Sequence, residues 1–192
     1  MESSENKRHL ILSVGLELLQ TEGYSRLSMD ALCVKAGVNK GSLYYHIISK
    51  EIFAIEAIRN YQKCIEKFLE TLLQFDPENR LKHFQNYIGH VASPSDQFGL
   101  LAVLIPEWNS LPHGIHVALE KLYRFKYEWI RDTVLEGQLT GIFRKDIPAD
   151  IFANIVLCYS VGGQSIRRLQ NNLEPFFAFT DSILKLPIIP PT

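Results

Sequence analysis

The sequence lacks a stretch that could span a membrane. Its longest apolar runs are short, such as Leu100-Leu101-Ala102-Val103-Leu104-Ile105, whereas a spanning helix needs about 20 apolar residues. The first residues, Met1 to Arg8, mix acidic and basic side chains ahead of no uninterrupted apolar core, so no secretory leader is expected. Cysteine is scarce. Cys33, Cys64 and Cys158 are odd in number and far apart, which argues against a disulfide framework and predicts reduced, buried thiols in a cytoplasmic protein. Neither sign of charge dominates: 20 Lys and Arg face 21 Asp and Glu, so any attraction to a polyanion must come from where charges sit, not from their sum. Strand signals are missing too. There is no alternating apolar and polar run and no Asn-Gly or Asp-Gly turn. Nor is there a nucleophile elbow, a phosphate loop, a Glu-x-x-His pair or a metal-ligand set, so no catalytic residue, cofactor or metal is expected.

What the sequence does contain is a period near 3.6, punctuated by proline. No proline precedes Pro77; after it the prolines fall at intervals that leave helix-length segments. The expected fold is all-α. A first helix spans about 5–22, with Leu10, Ile11, Val14, Leu18 and Leu19 as its apolar stripe and Gly23 as its stop. Ser28 caps a short second helix that runs to about Ala36, with Asp30 in its first turn. Gly37 allows a sharp turn, and Asn39 caps a third helix over roughly Lys40–His46. Ser49 caps a long fourth helix with Ile52, Ile55, Ile58, Ile65, Phe68 and Leu72 as its core stripe. Leu32, Val38 and Leu43 read as core.

Two short helices separated by a glycine turn, following a longer one, are the parts of a helix-turn-helix. In that motif the second short helix enters the DNA major groove. Its sequence here suits the task. Lys40, Gly41 and Ser42 are small or basic and permit close approach; Tyr44, Tyr45, His46 and Lys50 can all donate to phosphate oxygens. Glycine inside a helix costs about 1 kcal/mol against alanine, a cost that close backbone approach to DNA would explain at Gly41. Lys7 and Arg8 could reach phosphate from the start of the first helix.

The run Gly23-Tyr24, Ser28, Ala36-Gly37-Val38-Asn39-Lys40-Gly41-Ser42-Leu43-Tyr44-Tyr45-His46 and Ser49-Lys50-Glu51 closely resembles the DNA-binding domain of the tetracycline-repressor (TetR) family, over about residues 5–55. The resemblance implies an N-terminal three-helix helix-turn-helix domain, residues 1–50, and a larger C-terminal helical domain for ligand binding and dimerisation, residues 51–192. It implies a homodimer that binds a palindromic double-stranded DNA operator, most often as a repressor, and is released by a small-molecule effector. It also implies DNA contact by Ser28, Lys40, Gly41, Ser42, Tyr44, Tyr45, His46 and Lys50. The competing reading is a helical small-molecule-binding or protein-interaction module that has lost DNA binding; the retained Lys40, Tyr44, Tyr45, His46 and Lys50 argue against it.

Beyond residue 50 the pattern is helical but carries no comparably specific motif. Ala149–Leu169 is nearly apolar through its middle and holds Gly162-Gly163, which would let another helix come close. With a last helix over about Glu174–Leu186 it is expected to form the dimer bundle. Candidate pocket residues are Phe84, Tyr87, Phe98, Trp108, Tyr123, Tyr127, Trp129 and Gln164, aromatic and polar groups of the middle helices. His113 and His116, and His83 and His90, have helix-face spacing, yet no carboxylate or cysteine cluster completes a metal site, and surface histidines are expected.

Overall fold

The computed structural model describes residues 4–91 and 98–170, and Ser182. Among the described residues the ordered elements are helical throughout. They are α1 (Ser4–Glu22), α2 (Met29–Ala36), α3 (Lys40–His46), α4 (Lys50–Leu72), α5 (Pro77–Val91), α6 (Leu100–Leu104), a 3₁₀ helix (Ile105–Ser110), α7 (His113–Leu139) and α8 (Ala149–Gln170). The expected last helix, Glu174–Leu186, lies outside the described residues. No helix among those described is long and apolar enough to cross a membrane.

The chain forms two compact units. The first comprises Met1–Cys64 and Asp96–Leu122, the second Ile65–Ser95 and Tyr123–Thr192. Both α4 and α7 contribute residues to each.

Local chemistry sets the helix ends of the first unit. The Ser28 side chain accepts the Ala31 N–H and caps α2. Gly37 closes the helix at φ 64, a left-handed conformation that costs an L side chain about 1–2 kcal/mol. Asn39 Oδ1 accepts the Ser42 N–H at 2.8 Å and starts α3, and Ser49 Oγ accepts the Ile52 N–H at 3.2 Å and starts α4.

The core of this unit gathers Ile11, Leu18, Leu19, Leu27, Leu32, Leu43, Ile47, Phe53 and Ile58, all buried. Two stripes differ from the sequence expectation by one position. Leu10 is exposed and Leu12 is buried in its place; Ile52 is exposed and Phe53 is fully buried. The reason is a notch. A Cβ added at Gly15 would lie 1.8 Å from Phe53 Cζ, so the ring occupies the space that a larger residue on α1 would fill. Seating Phe53 there turns Ile52 outward. All three cysteines are free, but the expected burial holds for Cys33 alone: Cys64 and Cys158 are exposed, each on a helix face that nothing in the described chain covers. Val38 is half-buried.

Residues from Phe98 onward pack against α1. Gln20, itself buried, donates from Nε2 to the Phe98 carbonyl at 3.1 Å, and the Phe98 N–H donates to the Gln20 carbonyl at 3.3 Å. All five residues of α6 are buried. At the start of α7, a Cβ at Gly114 would come within 2.8 Å of both Glu51 and Ile55, so α7 begins in close contact with α4.

In the second unit the side chain of Arg80 bridges the Leu73 carbonyl, at 3.1 Å, and the Glu136 carboxylate. The Phe143 ring fills the space beside Gly137, where an added Cβ would come within 2.1 Å of it.

The Gly15 notch predicts its own test. Gly15→Ala should destabilise the fold by about 1–3 kcal/mol through overpacking, lowering the melting temperature by a few degrees. Shortening the ring in the double variant Gly15→Ala, Phe53→Leu should recover part of the loss. An unchanged melting curve for the single variant would show that the ring can move aside freely.

Candidate nucleic-acid interface

α3 is buried along one edge only. Leu43 is its single fully buried side chain, and Ile47 closes the core just beyond its end. Ser42 and His46 are half-buried, and the other side chains of α3 face water. Tyr44 is 53% exposed and Tyr45 81%, and Tyr45 meets His46 edge-on with ring centroids 5.0 Å apart. Phenols left in solvent by a folded chain have hydroxyls available to an outside acceptor. Gly41 is exposed, and a Cβ there would meet only Asn39 Oδ1, at an ordinary 3.5 Å. Internal packing therefore does not require glycine at this position.

The cations near α3 are held by partners. Lys40 Nζ lies 2.8 Å from Asp30 on α2, and that hydrogen bond and charge raise the lysine's pKa. Lys35 pairs with Glu17 at 2.9 Å, and Arg8 donates to Glu56 at 2.7 Å. These pairs are exposed, and such pairs contribute about 0–1 kcal/mol, so a phosphate can take over a lysine at little cost.

Lys50 is placed differently from the other candidates. Its ammonium lies 4.5 Å from the centroid of the Tyr24 ring and 3.4 Å from the Ser25 carbonyl. Burial lowers its pKa, and the nearby Glu107 carboxylate opposes that shift. Tyr24 is in turn raised, by burial first and by Glu51 second.

Two further residues bear on this surface, neither of them singled out by the sequence reading. Ile48, in the link between α3 and α4, is 79% exposed and offers an apolar contact for a sugar or thymine methyl. Glu107, on the 3₁₀ helix, reaches the loop between α1 and α2, where its Oε2 accepts both the N–H and the hydroxyl of Ser25 at 2.8 Å. Exposure could have been guessed for Ile48 from the adjacent Ile47; nothing local marks Glu107, 82 residues from its partner.

The candidate ligand residues fall in both units. Phe98 and Trp108 belong to the first. Phe98 is buried against α1, and Trp108 stacks on His116 with centroids 4.0 Å apart, while His116 Nε2–H donates to the Trp108 carbonyl at 2.8 Å. The other six belong to the second. Phe84 is buried beside Trp129, 5.2 Å between centroids, and Tyr87 stacks on Phe68 at 4.6 Å. Tyr123 and Tyr127 stack at 6.1 Å and donate to Asn154 and Asp150 on α8. Gln164 is buried. Lys126, on the same stretch of α7, is half-buried, and burial of its ammonium lowers its pKa to about 8.

A short helix packed on a capped second helix across a left-handed glycine, with polar aromatics turned outward, defines a helix-turn-helix DNA-binding protein. Comparison with known proteins takes this further. Residues 11–57 match the family described as bacterial regulatory proteins, tetR family. The HTH-type transcriptional regulator LmrA of Bacillus subtilis is 32% identical over 183 residues, covering 93% of this chain and 95% of that protein. The HTH-type transcriptional repressor DhaR of Mycobacterium sp. (strain GP1) is 24% identical over 174 residues, 90% of this chain and 87% of the relative. The solved structure of a TetR-family regulator from Agrobacterium tumefaciens superposes with a TM-score of 0.92 at 20% identity, covering 97% of this chain and all of that one, a likeness of fold. The chain belongs to the TetR family of bacterial regulatory proteins and is a DNA-binding transcriptional regulator.

Gly41 separates stability from binding. Gly41→Ala should leave the fold as stable or up to about 1 kcal/mol more stable. The same variant should weaken specific DNA binding by about tenfold, measured by fluorescence anisotropy beside a melting curve. Full affinity in the alanine variant would show that the backbone at α3 does not approach DNA closely.

Proposed function

We propose that the protein is a repressor that binds a two-fold-related DNA operator as a homodimer and leaves it when a small molecule binds the second unit. The observation that carries the DNA half of this reading is the set Lys40, Gly41, Ser42, Tyr44, Tyr45 and His46 on α3, donors and small residues of which none is fully buried. Lys40 would exchange Asp30 for phosphate, and Ser28, at the cap of α2, would present its hydroxyl and nearby amides to the backbone. The functional division follows: residues 1–50 read DNA, and residues 51–192 regulate and dimerise.

The dimer reading is supported by α8. Phe152, Ala153, Val156, Leu157, Ser160 and Gln164 are buried, yet Ile151, Ile155, Cys158 and Ile166 are exposed, with Gly162 on the same stripe and open space beside it. Exposed apolar residues at helical spacing around a glycine suit a second helix at close range. Two copies joined there would carry two α3 helices to half-sites about 34–36 Å apart or somewhat more.

The effector reading is supported by the ring pairs of the second unit, with Tyr123, Tyr127 and Gln164 as polar groups that fix orientation. It favours a largely apolar or aromatic molecule. Such a ligand weakens DNA binding only through its preference for one conformation, typically about 1–3 kcal/mol or roughly 5–150-fold. The helix that would carry the change is α4. The function requires no catalysis and no cofactor, and places the protein with DNA in the cytoplasm.

Selection of duplexes from a random library should recover a pseudo-palindromic site. Ile155→Glu, which puts an unpaired carboxylate on the α8 stripe, should convert the protein to monomer by light scattering and abolish specific binding. A stable dimer with full affinity would place the interface elsewhere.

Effector binding has an optical reading. With Trp108→Phe, Trp129 is the remaining tryptophan, and an effector that releases the selected duplex should change its emission without DNA present. Release with unchanged emission would argue for action at α3 itself.

A further inference from the structure

We infer that Glu107 is a positioning residue for DNA binding, which holds the α1–α2 loop, and through it α2 and α3, from outside the helix-turn-helix. This rests on the DNA-binding reading above and adds a residue far from the reading helix in sequence.

The geometry is a grip on one loop. Oε2 of Glu107 takes the Ser25 N–H and the Ser25 hydroxyl, both at 2.8 Å. Its other oxygen stands over Gly23, where an added Cβ would come within 2.0 Å of it. Gly23 has φ 84, so the chain there turns in a form that only glycine adopts freely. The Ser25 carbonyl faces Lys50 of α4, whose ammonium covers Tyr24. The loop Gly23–Leu27 is thus held by a carboxylate and an ammonium that both bond to Ser25. Three residues after Ser25 comes Ser28, the cap of α2. Where the loop is fixed, the start of α2 is fixed, and α3 packs on α2.

The 3₁₀ helix that bears Glu107 is itself anchored. The next residue, Trp108, stacks on His116 of α7 and has its carbonyl bonded there. The segment's start is tied to α1 by the two Gln20–Phe98 hydrogen bonds. A displacement of the first turns of α7 can therefore reach the α1–α2 loop through this carboxylate.

Charge and position predict opposite outcomes at this residue. Removing an acidic group from a DNA-binding protein strengthens its attraction to DNA by bulk electrostatics. Removing a positioning residue weakens it. On the full-length chain with the selected duplex, Glu107→Ala should lower affinity by about tenfold with the slope of log affinity against log salt unchanged, because no phosphate contact is lost. Glu107→Gln keeps an acceptor for the Ser25 N–H and should recover most of the affinity. Ser25→Ala, which loses only the hydroxyl, should fall between, and the double variant Glu107→Ala, Ser25→Ala should be no weaker than Glu107→Ala. Amide exchange at Ser25, measured without DNA, should quicken in Glu107→Ala and not in Glu107→Gln. Equal or tighter binding by Glu107→Ala, or an unchanged Ser25 exchange rate, overturns the assignment while wild-type binding leaves the DNA-binding reading intact. A wild-type chain that selects no duplex overturns both.

Discussion

The seat of the Phe53 ring in the notch at Gly15 is the contact on which the arrangement of the first unit depends. α1 and α4 meet where one has no side chain and the other has a large flat one. That fixes the face α4 turns to the core and makes Ala54, Ala57 and Ile58 its continuation. With α4 set, its first turn places Lys50 over Tyr24 and Glu51 beside Gly114. The helix-turn-helix is then closed by Leu32, Leu43 and Ile47 against the same core, and α3 is left with one buried residue and an open outer face. An exposed reading helix is a consequence of how little of α3 the core needs.

The same unit takes in residues well beyond the reading helix. Phe98 to Leu122 are bound to α1 by paired backbone and side-chain hydrogen bonds at Gln20, to the α1–α2 loop by Glu107 and to α4 at Gly114. A buried amide bonded at both its main chain and its side chain resists slippage, because each bond lost would strand a polar group away from water. Changes in the first turns of α7 and changes at α2 are therefore not independent.

The electrostatics around α3 are those of exposed, paired charges. The chain carries no excess of positive charge. Lys40, Lys35 and Arg8 are each neutralised by a carboxylate on a neighbouring helix, at the surface and in water. Exposed pairs of this kind hold side chains near their working positions without binding them tightly. With these cations paired and no excess of positive charge, the chain has little bulk attraction for a polyanion.

How much of this could be read from the chain depends on range. The caps at Ser28, Asn39 and Ser49, the left-handed turn at Gly37, the bounds of α1 to α3 and the start of α4 were legible, because each is decided between residues no more than four apart. The exposed row on α3 was legible because few uses other than contact exist for adjacent polar aromatics. The faces of α1 and α4 were read one residue off, since Leu10 and Leu12, or Ile52 and Phe53, are equally apolar and only the notch at Gly15 chooses between them. Apolar surroundings in sequence suggested burial for Cys64 and Cys158, but a helix in contact on one side leaves its other side in water. The candidate ligand residues shared a composition, and the fold divided them between two units. Glu107 had no signal at all. A carboxylate finds a loop 82 residues away only when packing brings it there, and local sequence fixes the ends of helices while distant contacts fix what those helices face.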